Sequence, residues 1–247
     1  MRLRLARWSA YVPAALREVL LLAFVYLVYT GCRLLAADDI VTAAQRATRI
    51  LHVETLLDLD WESALNQVFV SHDWLGVFGD YWYASCHYVV TAAVLGWLFV
   101  RRPDSYPTAR RVLIVATFAA LACYLLLPTA PPRMMPGYAD LLNLHSDAGW
   151  WGADASAPRG LGGLTNQLAA FPSMHAGWAL WVAYALATTM RSRIVHVLGY
   201  AYALMTAIVV IGTANHWVTD VLVGWAVVFA AIVTVGRADR AARLQPA

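Results

Sequence analysis

Residues 194–220 read IVHVLGYAYALMTAIVVIGTANHWVTD, and between Arg193 and Asp220 there is no Asp, Glu, Arg or Lys. A run of that length and polarity is what one helix needs to cross a bilayer core of about 30 Å. It ends in Asn215-His216-Trp217-Val218-Thr219-Asp220. An imidazole and a carboxylate therefore sit at the edge of an apolar segment, where ionisable groups are costly and usually functional. Charge-free intervals also separate Asp80 from Arg101, Arg111 from Arg133, and Arg159 from Arg191. The last of these holds a second short motif, Phe171-Pro172-Ser173-Met174-His175-Ala176-Gly177.

Composition extends the same conclusion to the whole chain. Of 247 residues 61% are hydrophobic and 13% charged, whereas a soluble domain carries about 25% charged residues. The expected fold is all-α: a polytopic membrane protein, a six-transmembrane-helix bundle with interfacial helices. The six expected spans are Leu16–Ala37, Tyr81–Val100, Val112–Leu127, Phe171–Met190, Ile194–Thr213 and Trp217–Val235. Arg17, Glu18 and Arg33 lie near the ends of the first, where they snorkel or pair. Its long apolar run lacks a small-residue cleavage pattern, so it reads as an uncleaved signal anchor.

The chain contains no lysine, so arginines set the orientation. Arg2, Arg4, Arg7, Arg17, Arg101, Arg102, Arg110, Arg111, Arg191, Arg193, Arg237, Arg240 and Arg243 fall on one side of the six spans. Only Arg46, Arg49, Arg133 and Arg159 fall in the opposite loops. The positive-inside rule then gives a multi-pass plasma-membrane protein with both termini cytoplasmic. The net charge of +3 is a topology signal, and no nucleic-acid partner is expected. Cys32, Cys86 and Cys123 all lie in apolar spans and are expected as small core residues rather than disulfide partners.

A single membrane domain over 1–247 is expected, with two structured segments outside the spans. In 38–79, apolar positions at helical spacing alternate with Arg46, Arg49, Glu54, Asp58 and Glu62, the pattern of amphipathic helices lying at an interface. In 130–170, Pro131, Pro132, Pro136 and Pro158 with six glycines from Gly137 to Gly163 favour an ordered external lid or re-entrant loop over a continuous helix.

Tracing the spans back and forth brings Arg133, Ser173, His175, His216 and Asp220 to one external face. Pro172 suits the first turn of the fourth span, leaving the next backbone N–H groups free for an anion. Ser173 adds a hydroxyl donor, and the guanidinium of Arg133 matches phosphate oxygens. His216 and Asp220, four apart, share a helix face. A carboxylate there can hold Nδ1–H of the imidazole and leave Nε2 as a nucleophile, while His175 can protonate a leaving oxygen. Arg159, among Gly160, Gly162 and Gly163, is a further candidate for substrate contact. Anion cradle, oriented nucleophile and acid together point to phosphoryl transfer.

These motifs resemble those of the PAP2 (type 2 phosphatidic acid phosphatase) superfamily, six-helix membrane enzymes acting on lipid phosphates. Pro172-Ser173-Met174-His175 is similar to its Pro-Ser-x-His motif, and His216-Trp217-Val218-Thr219-Asp220 to its His-x-x-x-Asp motif. Pro131-Pro132-Arg133 and Met174 resemble the branch of inositol phosphorylceramide synthase. The resemblance implies that His216 attacks phosphorus to form a phosphohistidine, oriented by Asp220. It further implies that His175 protonates the departing alcohol and that Ser173 and Arg133 hold phosphate oxygens. It implies no cofactor and no metal. Two departures stand out: Val209 and Val210 occupy positions where the family commonly has Ser-Arg, and the usual first-motif lysine is absent.

The expected partners are a lipid phosphate substrate, an alcohol acceptor if the reaction is a transfer, and membrane lipids. A transferase making a phosphodiester lipid is the alternative to a phosphatase. A His/His/Asp zinc hydrolase or transporter and a non-catalytic lipid-binding protein are the competing classes.

Overall fold

The computed structural model describes residues 15–25, 27–28, 31, 39–152, 155–158 and 167–244. Residues 15–25 are helical (α1). They are followed by α2 (Ile40–Leu56), α3 (Glu62–Ser71) and α4 (Asp73–Tyr81). A π-turn at Trp82–Cys86 joins α4 to α5 (His87–Arg101). Then come α6 (Tyr106–Leu126), a 3-10 turn at Pro132–Met134 and the short α7 (Leu141–Leu144). A two-stranded antiparallel ladder pairs β1 (Trp151–Gly152) with β2 (Ala155–Pro158). The last three helices are α8 (Met174–Thr189), α9 (Arg193–Gly212) and α10 (Val218–Leu244).

Among the described residues, four helical stretches are long and apolar enough to cross a membrane: Asp73–Arg101, Tyr106–Leu126, Arg193–Gly212 and Val218–Leu244. Two start earlier than charge counting placed them, because the charges are paired rather than excluded. Asp80 is fully buried against His145 Nδ1 at 2.6 Å, so the helix containing it begins at Asp73. Arg110 pairs with Glu18 and Arg111 with Asp239 (2.6 Å), so α6 begins at Tyr106. The first expected span, Leu16–Ala37, is described only in part; Glu18 and Leu22 of α1 pack on α6 and the core. Cys32 lies outside the described residues.

The fourth expected span is the shorter helix α8, 16 residues or about 24 Å at 1.5 Å per residue. It starts one residue after Ser173, which caps it, so Pro172 precedes the helix instead of sitting in its first turn. Short length suits its place, because α8 is the central helix and packs against α5, α6, α9 and α10. Small side chains let its neighbours approach, as is usual between membrane helices. Ala179 and Ala183 meet Ala203 of α9, and a Cβ on Gly199 would stand 3.2 Å from the Cα of Ala183. The outward faces remain apolar, with Val89, Leu126, Ile194, Val197 and Phe229 all exposed.

At the crossing of α8 and α10, a Cβ on Gly224 would lie 2.2 Å from the carbonyl oxygen of Ser173. That oxygen is backbone and cannot swing away. Gly224→Ala is therefore expected to cost about 3 kcal/mol by overpacking, read as a lowered melting temperature in detergent. A melting curve matching wild type would rule out this tight crossing.

The segment 38–79 departs from the surface-helix expectation in one respect. Arg49 and Asp58 face outward, but Glu54 and Glu62 are fully buried. Hydrophobic spacing treats every carboxylate as wet; here both bond to backbone N–H groups of α10, which provides a dry partner.

Candidate active site

The site is built where α9 ends, α10 begins and α8 begins. Ala214, at φ 56, lets α9 turn sharply, and the N–H groups of Asn215 and His216 both donate to Val210 O at 3.1 Å. The Trp217 indole donates to Ala130 O (2.9 Å), and Arg133 N donates to Ala214 O (2.8 Å). Segment 129–133 is thereby fastened to this turn. Its Thr129 also forms a parallel bridge with Ala169, with Thr129 N donating to Leu168 O at 2.7 Å. That bridge aims the Ala170 carbonyl at His216.

His216, 3% exposed, has a partner on each ring nitrogen. Nδ1 is 2.9 Å from Ala170 O and 3.6 Å from Asp220 Oδ2; Nε2 is 3.2 Å from His175 Nδ1. A carbonyl oxygen only accepts, so Nδ1 carries the proton and Nε2 keeps its lone pair. The nearer Nδ1 partner is thus the backbone of Ala170 rather than Asp220. The Asp220 carboxylate has turned back to accept from Trp217 N at 2.9 Å, which caps its own helix. Its Oδ2 still lies 3.6 Å from Nδ1 of His216.

His175 is held by rings. It stacks on Tyr83 (centroids 4.2 Å apart, planes at 21°) and packs against His87 at 4.0 Å. Tyr83 lies in the π-turn and His87 just after it; wide turns of this kind are common at functional sites. Ser173 is fully buried: its Oγ accepts from Ala176 N at 3.4 Å and its N–H donates to Asp220 O at 2.9 Å. Accepting from Ala176 N leaves a serine hydroxyl its O–H to donate. Arg133 donates to Asn215 Oδ1 (3.0 Å), Asp140 Oδ2 (2.9 Å) and Gln167 Oε1 (3.4 Å), beside the residue preceding His216. Arg159 lies outside the described residues.

Val209 and Val210, where the related pattern carries Ser-Arg, are fully buried in apolar clusters, so no cation fills that place. Outside the spans, burial pushes the Glu54 carboxyl up to about 8 and raises that of Glu62. Burial with nearby carboxyls pushes the Tyr138 hydroxyl to about 12. Among the described residues no group of three or more His, Cys, Asp and Glu is arranged to hold a metal ion. His175 meets Nε2 of His216 while Asp220 approaches Nδ1, so the three do not converge on one point.

Sequence reasoning did not find Ala170, Tyr83, Glu54 or Glu62. A backbone carbonyl has no residue-type signal, and a tyrosine in an apolar span looks like any other. A family model described as PAP2 superfamily matches residues 48–234. No curated protein and no solved structure matches the chain.

Proposed function

Because this chain belongs to the PAP2 superfamily, a group of phosphatases and phosphotransferases, we propose that it transfers the phosphoryl group of a lipid substrate through a phosphohistidine on His216. The observation that carries the proposal is the pairing of His216 Nε2 with His175 Nδ1 at 3.2 Å, while Nδ1 of His216 is held by Ala170 O. Substrate phosphate entering between the rings replaces that contact. Nε2 attacks phosphorus, the P–O bond to the lipid alcohol breaks, and the proton on His175 goes to the departing oxygen. The Nδ1–H remains on Ala170 O, with Asp220 offsetting the positive charge on the ring. An acceptor alcohol or water then attacks phosphorus, returning its proton to His175 and freeing His216. Arg133 and Ser173 orient the phosphate oxygens.

Transfer is favoured over hydrolysis by valines rather than a cation at positions 209 and 210. A phosphate esterified twice carries less charge than a monoester and needs fewer cations, which also suits the branch resembling inositol phosphorylceramide synthase. In this reading both termini are cytoplasmic and the histidines face outside, as the arginine distribution requires.

The test uses protein purified in detergent, EDTA throughout, and a panel of lipid monophosphates, diphosphates and phosphodiesters with and without inositol. Product lipid and free phosphate are both measured. Metal-independent turnover with more product lipid than phosphate is expected; a requirement for added metal would sink the phosphohistidine scheme. Replacing Arg133 by Lys removes the planar fork, so a roughly 10-fold higher KM is expected with kcat changed by less than about 3-fold. A changed kcat at constant KM would assign Arg133 to the chemistry itself.

A further inference from the structure

Glu54 and Glu62 belong to none of the three motifs, yet both are fully buried at the start of the helix that follows His216. A helix start leaves its first backbone N–H groups without intrahelical acceptors. Here three in succession each meet a separate carboxylate. Trp217 N donates to Asp220 Oδ2 (2.9 Å), Val218 N to Glu62 Oε1 (2.7 Å) and Thr219 N to Glu54 Oε1 (2.6 Å). Asp220 supplies the local cap from α10 itself. Two others, brought from α2 and α3, tether the first turn of α10 to both helices.

We propose that Glu54 and Glu62 act together as positioning residues for His216, clamping the first turn of α10 so that Nε2 stays aligned with His175. The proposal rests on His216 being the phosphoryl acceptor. Each glutamate keeps its second oxygen, Oε2, buried without a donor among the described residues. Burial and the charge of Glu62 raise the Glu54 carboxyl, so one proton shared by the two carboxyls supplies the donor that each Oε2 lacks. Among the described residues, the other titratable groups interacting with the pair are Asp220 on α10 and Tyr138 on the connector after α6. Neither brings positive charge. Without the shared proton, Glu54, Glu62 and Asp220 repel around one turn.

The sign of the pH dependence follows. Burial raises the native carboxyl of Glu54 to about 8 from an ordinary 4.5. The stability this proton contributes is complete below about pH 4.5 and is lost as pH rises through about 8. Above that value the clamp opens, and His216, one residue before the clamped turn, shifts against His175. Misplacement by about 1 Å costs on the order of 100-fold in rate.

The experiment compares wild type, Glu54→Ala, Glu54→Gln, Glu62→Ala and Glu62→Gln by two readouts. One is kcat and KM across pH 6–10 on a lipid phosphate. The other, independent of turnover, is the rate at which diethyl pyrocarbonate modifies His216, followed by peptide mass spectrometry. Glutamine keeps the accepting oxygen and supplies a fixed donor. The alanine variants are expected to lose roughly 10- to 100-fold in kcat with KM within about 3-fold. Glutamine should recover at least about 10-fold of that loss, and Glu54→Gln should remove the alkaline decline near pH 8. His216 should react at least about 5-fold faster in the alanine variants, and in wild type faster at pH 9 than in Glu54→Gln. Equal kcat, equal pH profiles and equal modification rates in Ala and Gln variants would overturn the clamp. If wild type turns over no lipid phosphate, the proposed function fails and the modification rates alone decide the clamp. If the alanine variants do not fold, wild type against Glu54→Gln at pH 7 and 9 decides it.

Discussion

His216→Ala is expected to lower turnover by about 10⁶-fold, the scale seen when a nucleophile that acts as part of a unit is removed. The expectation follows from how completely the ring is committed. Nδ1 is held by Ala170 O at 2.9 Å, Asp220 lies 3.6 Å away, and only Nε2 is presented, toward His175. Two measurements check it. Steady-state turnover should fall to near background. Radiolabelled phosphate, retained on the wild-type chain after alkaline quenching because phosphohistidine survives base and not acid, should be absent from the variant. Label persisting at wild-type level in His216→Ala would move the nucleophile elsewhere.

The second large effect is expected for His175→Ala. Loss of a general acid costs roughly 10²- to 10⁴-fold, but the cost should depend on the leaving group. A lipid alcohol departs poorly without a proton, whereas p-nitrophenolate departs unaided, so turnover of a p-nitrophenyl ester should fall by less than about 10-fold. The labelled phosphoenzyme should still form with that ester, since His216 is intact. A loss of equal size for both substrates would mean that His175 positions the phosphate instead of moving a proton. The stack on Tyr83 fixes the ring plane, so the same substrates measured with Tyr83→Phe give a control that keeps the aromatic face.

Some of this was legible before any tertiary structure. Charge-free runs located the helices because lipid exposure acts on each segment separately. The motif order placed His175, His216 and Asp220 at helix starts on one end of the bundle, since successive spans alternate direction. Helix limits were less legible, because Asp80, Arg110 and Arg111 are tolerated inside helices once His145, Glu18 and Asp239 pair with them. A one-dimensional count cannot see such partners.

The sequence by itself determined membership of a helical membrane class and the residue types available for phosphoryl transfer. Hydrophobicity and helix periodicity are local properties, written within about 20 consecutive residues. Only the tertiary structure decided which groups meet. It put the Ala170 carbonyl, 46 residues away in the chain, on His216 Nδ1. It turned Asp220 back onto its own helix, and carried Glu54 and Glu62 across more than 150 residues to the start of α10. The physical reason is that hydrogen bonds form between groups close in space, and buried backbone N–H groups take whatever acceptor the packing brings within 3 Å.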